Sequence, residues 1–272
     1  MNSQLAKAEE TFKANAKTFS LAARFLDRDR YEAVARLYAF CRYVDDLADT
    51  GNPGSNSEAL TTLRQSIYAG QSNDDQINDL LQLKEHHNIP TELILDFVDA
   101  IIEDQYPREL QSVDQLVRFS YGVASTVGLM MCHVFEVRNP SAFPFAIDLG
   151  IAMQISNISR DILEDAERDR IYIPAELLGA PITCEGLLKG DQSMRDNAYE
   201  AAQQLLQIAD EYYASAALGY GYLPRSVRHT IKVAARLYQA IGEKISASPT
   251  TYWQRRSFVS RRRKCSLILQ ML

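Results

Sequence analysis

The chain has 272 residues, 46% of them hydrophobic and 24% charged, with a net charge of −6. That balance excludes disordered and collagen-like classes and leaves enough apolar residues for one long core, so a single domain over residues 1–272 is expected. The acidic excess argues against bulk nucleic-acid binding.

Cys41, Cys132, Cys184 and Cys265 are scattered with no CxxC, which suggests neither a disulfide framework nor a zinc site and suits a reducing cytoplasm. The opening MNSQLAKAEETFKANAK is polar and carries both charge signs, unlike a secretory leader. The chain is therefore expected in the cytoplasm.

Apolar residues recur three and four positions apart and period-two alternation is rare, so the expected fold is all-α. In chain order the pattern predicts helices over about 3–25, 30–49, 57–69, 74–87, 91–104, 113–137 and 142–165, with two or three more after Pro174. TGNPGSN, Ile89-Pro90, Asn139-Pro140 and Tyr222-Leu223-Pro224 separate them. The charge-free run from Phe119 to Phe135 contains Ser120, Gly122, Ser125, Thr126, Gly128 and His133 and is shorter than the roughly 20 apolar residues of a membrane span, so it reads as a buried helix. No repeat of fixed period and no flexible linker is present, which leaves a compact bundle of long helices.

Two stretches carry chemistry. Tyr38, Arg42, Asp45 and Asp49 stand at offsets 0, 4, 7 and 11, on one face of a helix otherwise filled by Val34, Leu37, Ala39, Phe40 and Cys41. Gln154, Asn157, Asp161 and Asp165, at offsets 0, 3, 7 and 11, repeat the arrangement. Carboxylates one turn apart repel unless a cation neutralises them. A single such pair is usually solvated surface. Two pairs, each in register with amide, Tyr or Arg groups on an apolar helix, point instead to a site for Mg²⁺, with Mn²⁺ as an alternative. Magnesium prefers carboxylate and amide oxygens and bridges protein to substrate phosphates.

These residues, Arg42-Tyr-Val-Asp45-Asp-Leu-Ala-Asp49 and Asn157-Ile-Ser-Arg160-Asp161-Ile-Leu-Glu164-Asp165 followed by Arg170-Ile-Tyr172-Ile-Pro174, resemble the two acidic motifs of the squalene/phytoene synthase family. So do Lys17-Thr18-Phe19-Ser20, Tyr121 to Gly128, and Arg255-Arg256-Ser-Phe-Val-Ser260, in the family's order across nearly the whole chain. The resemblance implies a helical bundle of the class I isoprenoid synthase type with a central cavity. In that family two C15 or C20 prenyl diphosphates are joined head to head through a cyclopropyl intermediate.

Carried over by matching position, Asp45, Asp49, Asn157, Asp161 and Asp165 would hold the metal. Arg42 and Arg170 would contact diphosphate, Tyr38 and Gln154 would stand near the reacting centre, and Lys17, Thr18 and Phe19 would form a flap over the pocket. Phe119, Tyr121, Val123, Val127 and Tyr172 would contact substrate. Ala16-Lys17-Thr18 stands where the family often has Ser-Lys-Ser, and Phe119 replaces a common Tyr.

Such an enzyme needs positive charge on the leaving diphosphate and a dry apolar tunnel for the chains. Met130 and Met131 are further wall candidates, with plain core the equal alternative. A proton lost on coupling would pass to Tyr38 or to the released diphosphate. His133 reads as a satisfied core residue, and HExxH, GxSxG and P-loop patterns are absent. NADPH is required only if the product is squalene or a dehydrosqualene relative. The mid-chain Gly128-Leu-Met-Met131 run favours the phytoene type.

Terpene cyclisation, chain elongation or diphosphate hydrolysis are rival readings, as is a non-catalytic assembly protein with the same fold. The basic stretch Arg255 to Lys264 is a solvated end, a lid, or a contact with anionic membrane where an oily product leaves. The oligomeric state is not readable.

Overall fold

The computed structural model describes residues 3–50, 53–106, 109–247 and 249–271, and these are helical with no β-strand among them. Helices α1 (Ser3–Asn15), α2 (Phe19–Ala22), α3 (Arg28–Asp49), α4 (Pro53–Ala69), α5 (Asp75–His87) and α6 (Thr91–Glu103) form the first half. After α7 (Val113–Ser120), a π-helical turn over Tyr121–Ser125 leads into α8 (Thr126–Val134), α9 (Phe143–Arg160) and α10 (Ile162–Ala166). Then follow α11 (Cys184–Lys189), α12 (Gln192–Leu218), α13 (Arg225–Ser246), α14 (Pro249–Tyr252) and α15 (Arg261–Leu269). Among the described residues no helix is long and apolar enough to cross a membrane.

Local chemistry fixes many of the ends. Asp27 accepts a hydrogen bond from the Arg30 amide at the start of α3, Asp74 from Gln76 and Ile77 at α5, Ser112 from Gln115 at α7, and Asp191 from Met194 at α12. Asn88 (φ 53°) and Gly190 (φ 83°) close α5 and α11 in the left-handed region that Asn and Gly tolerate.

Helix α9 is the axis of the bundle, packed by α12, α13, α8, α7 and the π turn. Its small residues permit this. A Cβ on Gly150 would stand 2.6 Å from the Ser125 Cα, and one on Gly128 2.9 Å from the Ala146 carbonyl, so the π turn and α8, one continuous helix, meet α9 backbone to backbone. The Ser125 hydroxyl donates to the Ile147 carbonyl across the same contact (2.8 Å).

Two hydrophobic cores result. One gathers α9, α12 and α13 with Leu116, Phe119 and Tyr172; the other gathers α1, α3, α4, α5, α6 and α8. Phe19 and Val123 pack against both cores, at the seam between them.

Three expected helices differ from the pattern. The first, 3–25, breaks at 16–18, which sets Thr18 against Lys264 of α15 (2.8 Å) and turns Phe19 inward. The 113–137 helix widens into the π turn, where Gly122 lies so close to α6 that a Cβ would be 2.6 Å from Ala100 Cβ, and where the Thr126 hydroxyl bonds back to the Gly122 carbonyl. The 142–165 helix bends at Asp161 (φ −107°, ψ 19°), between α9 and α10.

Because the α8–α9 contact has no room for a side chain, Gly150→Ala should lower the melting temperature by roughly 3–10 °C, the cost of overpacking a core. A thermal melt followed by circular dichroism checks this; an unchanged melting temperature would show that the helices can separate freely.

Candidate active site

Helix α3 buries Val34, Leu37, Phe40, Val44 and Ala48 in the second core, and this phase leaves Tyr38, Arg42, Asp45 and Asp49 on an adjoining stripe. The Tyr38 ring leans on Phe12 (5.3 Å) and faces the cavity described below. Burial pushes its phenol up to about 12, so it is neutral at physiological pH. Burial also raises the Asp45 carboxyl to about 7; Arg42 opposes this, while Asp49 and Asp46 add to it. Arg42 itself pairs with Asp46.

The second motif runs through the α9–α10 bend. Gln154 and Asn157 face the cavity, with the Asn157 amide reaching Gln154 Oε1 at 3.5 Å. The other end of that amide, Asn157 Oδ1, is buried and has no hydrogen-bond partner. Asp165 is raised to about 7 by burial and by Asp161. Asp161 behaves oppositely. Burial acts to raise it, but hydrogen bonds from Arg160 and Arg256 outweigh that and hold it below the ordinary carboxylate range.

A tight turn after α10 joins the two walls. The amides of Arg168 and Arg170 both bond the Asp165 carbonyl (3.0 Å each) around Asp169 at φ 57°. This directs two guanidiniums at the first motif: Arg168 lies 3.1 Å and Arg170 3.8 Å from Asp49. Arg170 is steadied by Asp104 (3.5 Å), which also accepts the Tyr172 hydroxyl at 2.6 Å. Tyr172 in turn stacks on Phe119 with centroids 4.9 Å apart.

The sequence-predicted residues thus separate into groups. Asp45, Asp49, Asn157, Asp161, Asp165 and Arg170 lie where α3 faces the α9–α10 bend; of these Asn157 lines the cavity, and the carboxylates stand about one helical turn beyond the Cys41 and Asn157 lining. Tyr38, Phe19, Val123, Val127 and Gln154 line the cavity, as does Met131. Phe119 and Tyr172 do not; both are buried in the first core, supporting Asp104 and Arg170 from behind, and Met130 is buried in the second core. Tyr121 is half-buried and also lies off the cavity lining. Lys17 is exposed, while Thr18 accepts a bond from Lys264 Nζ, whose ammonium is lowered by burial and by nearby Lys17.

Sequence reasoning missed Arg168, Asp104 and Tyr238 and left Arg160 without a role; Arg256, in the basic stretch read as a solvated end, a lid or a membrane contact, stands on Asp161. Tyr238 packs its ring at a tilt on Phe19, centroids 4.8 Å apart, and lines the wall beside it. Arg168 stood in plain view two residues before Arg170; the other contacts depend on folds that spacing does not encode.

The cavity follows the seam between the two cores and encloses about 300 Å³. Along α9 it is lined by Phe145, Ala146, Leu149, Gly150, Met153, Gln154 and Asn157, one helical face from end to end. The twelve helical steps from Phe145 to Asn157 give that face a length of roughly 18 Å.

Among the described residues no three carboxylate, His or Cys groups converge into a ready-made cage for a metal ion. The donor set nevertheless suits a hard divalent cation shared with a substrate. Burial, with neighbouring acids, raises two of its carboxyls to about 7, a state that a nearby cation would relieve, and Asn157 Oδ1 lacks a partner. Asp161 is the exception, since its oxygens already face two guanidiniums.

An all-helical bundle with an apolar cavity and an arginine-flanked pair of acidic walls at its mouth defines an enzyme class that handles an anionic headgroup on an oily tail. The squalene/phytoene synthase family matches residues 12–263, and the chain belongs to that family. It is 31% identical over 278 residues to a phytoene synthase of Pseudescherichia vulneris, covering 96% of this chain and 89% of that one. It is also 31% identical over 283 residues to a 15-cis-phytoene synthase of Pantoea ananas, covering 98% and 90%. Among solved structures, a ligand complex of a dehydrosqualene synthase superposes with a TM-score of 0.83 at 23% identity, covering 99% of this chain and 95% of that one. A squalene synthase from Alicyclobacillus acidocaldarius gives 0.75 at 20%, covering 92% and 95%.

The carboxyl shifts carry a pH dependence. Asp45 and Asp165 titrate near 7 in the fold but near ~3.9 when unfolded. Their contribution to stability is therefore full below about pH 4 and lost as pH rises through 7. In EDTA the melting temperature should fall by roughly 5–10 °C between pH 5 and pH 8. Mg²⁺ should restore it at pH 8 and do little at pH 5, where protons compete for the carboxylates. Melts that Mg²⁺ leaves unmoved at pH 8 would contradict a cation site here.

Proposed function

We propose that this chain condenses two molecules of an allylic prenyl diphosphate head to head, with geranylgeranyl diphosphate the favoured substrate and phytoene the product. The observation that carries the reading is the joining of two carboxylate walls to one end of a long apolar cavity. Three main-chain bonds span roughly 3.5 Å, so the sixteen-carbon main chain of a C20 prenyl tail extends about 18 Å and that of a C15 tail about 13 Å. The cavity face of α9 matches the longer one. The phytoene synthases that resemble this chain over most of its length support the same choice.

Asp45, Asp49, Asn157 and Asp165 hold the metal from the two walls; Asp161 joins them when Arg256 releases it. A Mg²⁺ ion held by these oxygens would supply positive charge to offset the charge that builds on the leaving diphosphate. Arg168 and Arg170, already aimed across the mouth, and Arg42, Lys17 and Lys264 on its other sides add donors to the same anion. Phe119, Tyr172 and Asp104 keep Arg170 in place. The first substrate's C–O bond breaks as its diphosphate departs. The double bond of the second then attacks the allylic cation, and a proton is lost as the cyclopropane closes. The second diphosphate leaves next, and the rearranged cation ends by losing another proton.

The apolar walls do the positioning. Phe19, Val123, Val127, Leu149 and Met153 keep water from cations that would otherwise become alcohols, and the Gly128 and Gly150 contacts fix the spacing of those walls. Tyr38, neutral because its phenol titrates near 12, offers an oxygen dipole and the face of its ring rather than a phenolate base. The departed diphosphate, held beside the cation, accepts the proton. Termination by proton loss needs no NADPH; hydride quenching, which gives squalene, would need it.

Incubation with geranylgeranyl diphosphate and Mg²⁺ should yield a C40 hydrocarbon without NADPH, and farnesyl diphosphate should be used less well. Asp49→Ala and Asp161→Ala should each lower turnover by at least about 100-fold with the helical spectrum intact. Only alcohols or cyclic C20 products, or full turnover by both variants, would overturn the reading.

A further inference from the structure

At the end of the cavity away from the carboxylates, three connections meet. Residues 23–27 contribute Ala23 and Leu26 to the lining, residues 135–142 contribute Phe135 and Ala142, and residues 218–225 contribute Gly219, Tyr220 and Leu223. Two of them are braced against α9 and α13. Phe25 sets its ring edge-on to His229 (4.6 Å), Tyr222 stacks on Phe145 (5.8 Å), and the Arg228 guanidinium donates to the Gly221 and Leu223 carbonyls (2.9 and 3.1 Å).

Apolar character continues past the lining to the outer surface. Next to the lining residues in the chain stand Leu218, 73% exposed, Tyr222, 41%, and Phe25, 39%. Exposed arginines flank them on each connection: Arg24, Arg138 and Arg225. Among the described residues none of these three forms an ion pair, whereas the carboxylates of the same connections, Asp27 and Glu136, are both paired with Arg30. With Arg30 shared between those two carboxylates, the rim carries exposed apolar side chains beside a net positive charge.

We propose that this end of the molecule docks on an anionic lipid bilayer and delivers the hydrocarbon product into it through the adjoining cavity. The proposal rests on the condensation reading, because a product with no polar group has no favourable aqueous phase to enter and a bilayer is the phase that dissolves it. Charge complementarity selects the lipid: surface arginines are drawn to anionic headgroups while the aromatic and leucine side chains enter the interface. The basic C-terminal stretch serves the other end. Lys264 bonds Thr18, Arg256 holds Asp161 and Arg263 reaches Glu243 (3.6 Å), which commits that stretch to the diphosphate mouth despite exposed Phe258 and Leu269.

The test is co-sedimentation of the full chain with phosphatidylcholine vesicles made with and without phosphatidylglycerol. The wild type should pellet with the anionic vesicles and less so in high salt. Leu218→Asp and Arg225→Ser should each weaken that association roughly fivefold or more, the effect of one surface charge or its apolar neighbour. Both should keep the helical spectrum and, with detergent-dispersed substrate, normal turnover, while Leu269→Asp should pellet like the wild type. Equal pelleting by all variants, loss confined to Leu269→Asp, or a Leu218→Asp change that only dissociates a dimer would overturn the proposal. Absence of hydrocarbon from the wild type in detergent would instead count against the condensation reading.

Discussion

The constraint on which the site depends is the cost of holding buried carboxylates opposite one another. Asp45 and Asp165 are desolvated and each has further acids beside it, so both carboxyls favour the proton near neutrality. The fold supplies part of the missing positive charge through Arg168 and Arg170, which reach Asp49, and through Arg160 and Arg256, which cover Asp161. It stops short of full compensation, and Asn157 Oδ1 has no partner at all. A site left in this state has affinity for a cation that arrives with an anion of its own. That is the requirement for activating a diphosphate without trapping the metal in a closed cage.

The rest of the architecture follows from placing that mouth on a dry tunnel. Two cores that fused completely would leave no cavity; here they share Phe19 and Val123 and stay apart elsewhere along α9. The backbone contacts at Gly128 and Gly150 hold α8 and α9 together, and the π turn changes the phase of the helix that precedes them. From that turn onward Val123, Val127 and Met131 face the tunnel, while Phe119 before it points into a core. Chemistry at one end and an apolar rim at the other make the cavity a passage with a direction.

Much of this was legible in the chain. The α3 motif could be read from spacing alone, because a regular helix keeps offsets 0, 4, 7 and 11 on one side and the neighbouring apolar residues fix which side is buried. The α9 motif was legible in composition but less so in shape, since the bend at Asp161 carries no Gly or Pro to announce it. Phe119 looked like a tunnel wall because an aromatic residue has the same periodicity in a core as in a cavity; the extra residue of the π turn that follows it decides. Arg256 was out of reach, as it meets Asp161 across 95 residues of sequence, and so was the Asp104–Tyr172 pair across 68.

The most direct test of the central claim, that the two acidic walls form a site completed only by cation and diphosphate together, is calorimetric titration of the protein with inorganic diphosphate at pH 8 with and without Mg²⁺. The account predicts weak binding of diphosphate alone, weak binding of Mg²⁺ alone, tight binding of the two together, and loss of that cooperation in Asp49→Ala. Diphosphate that binds equally well in EDTA, or a cooperative signal that survives in Asp49→Ala, would contradict it.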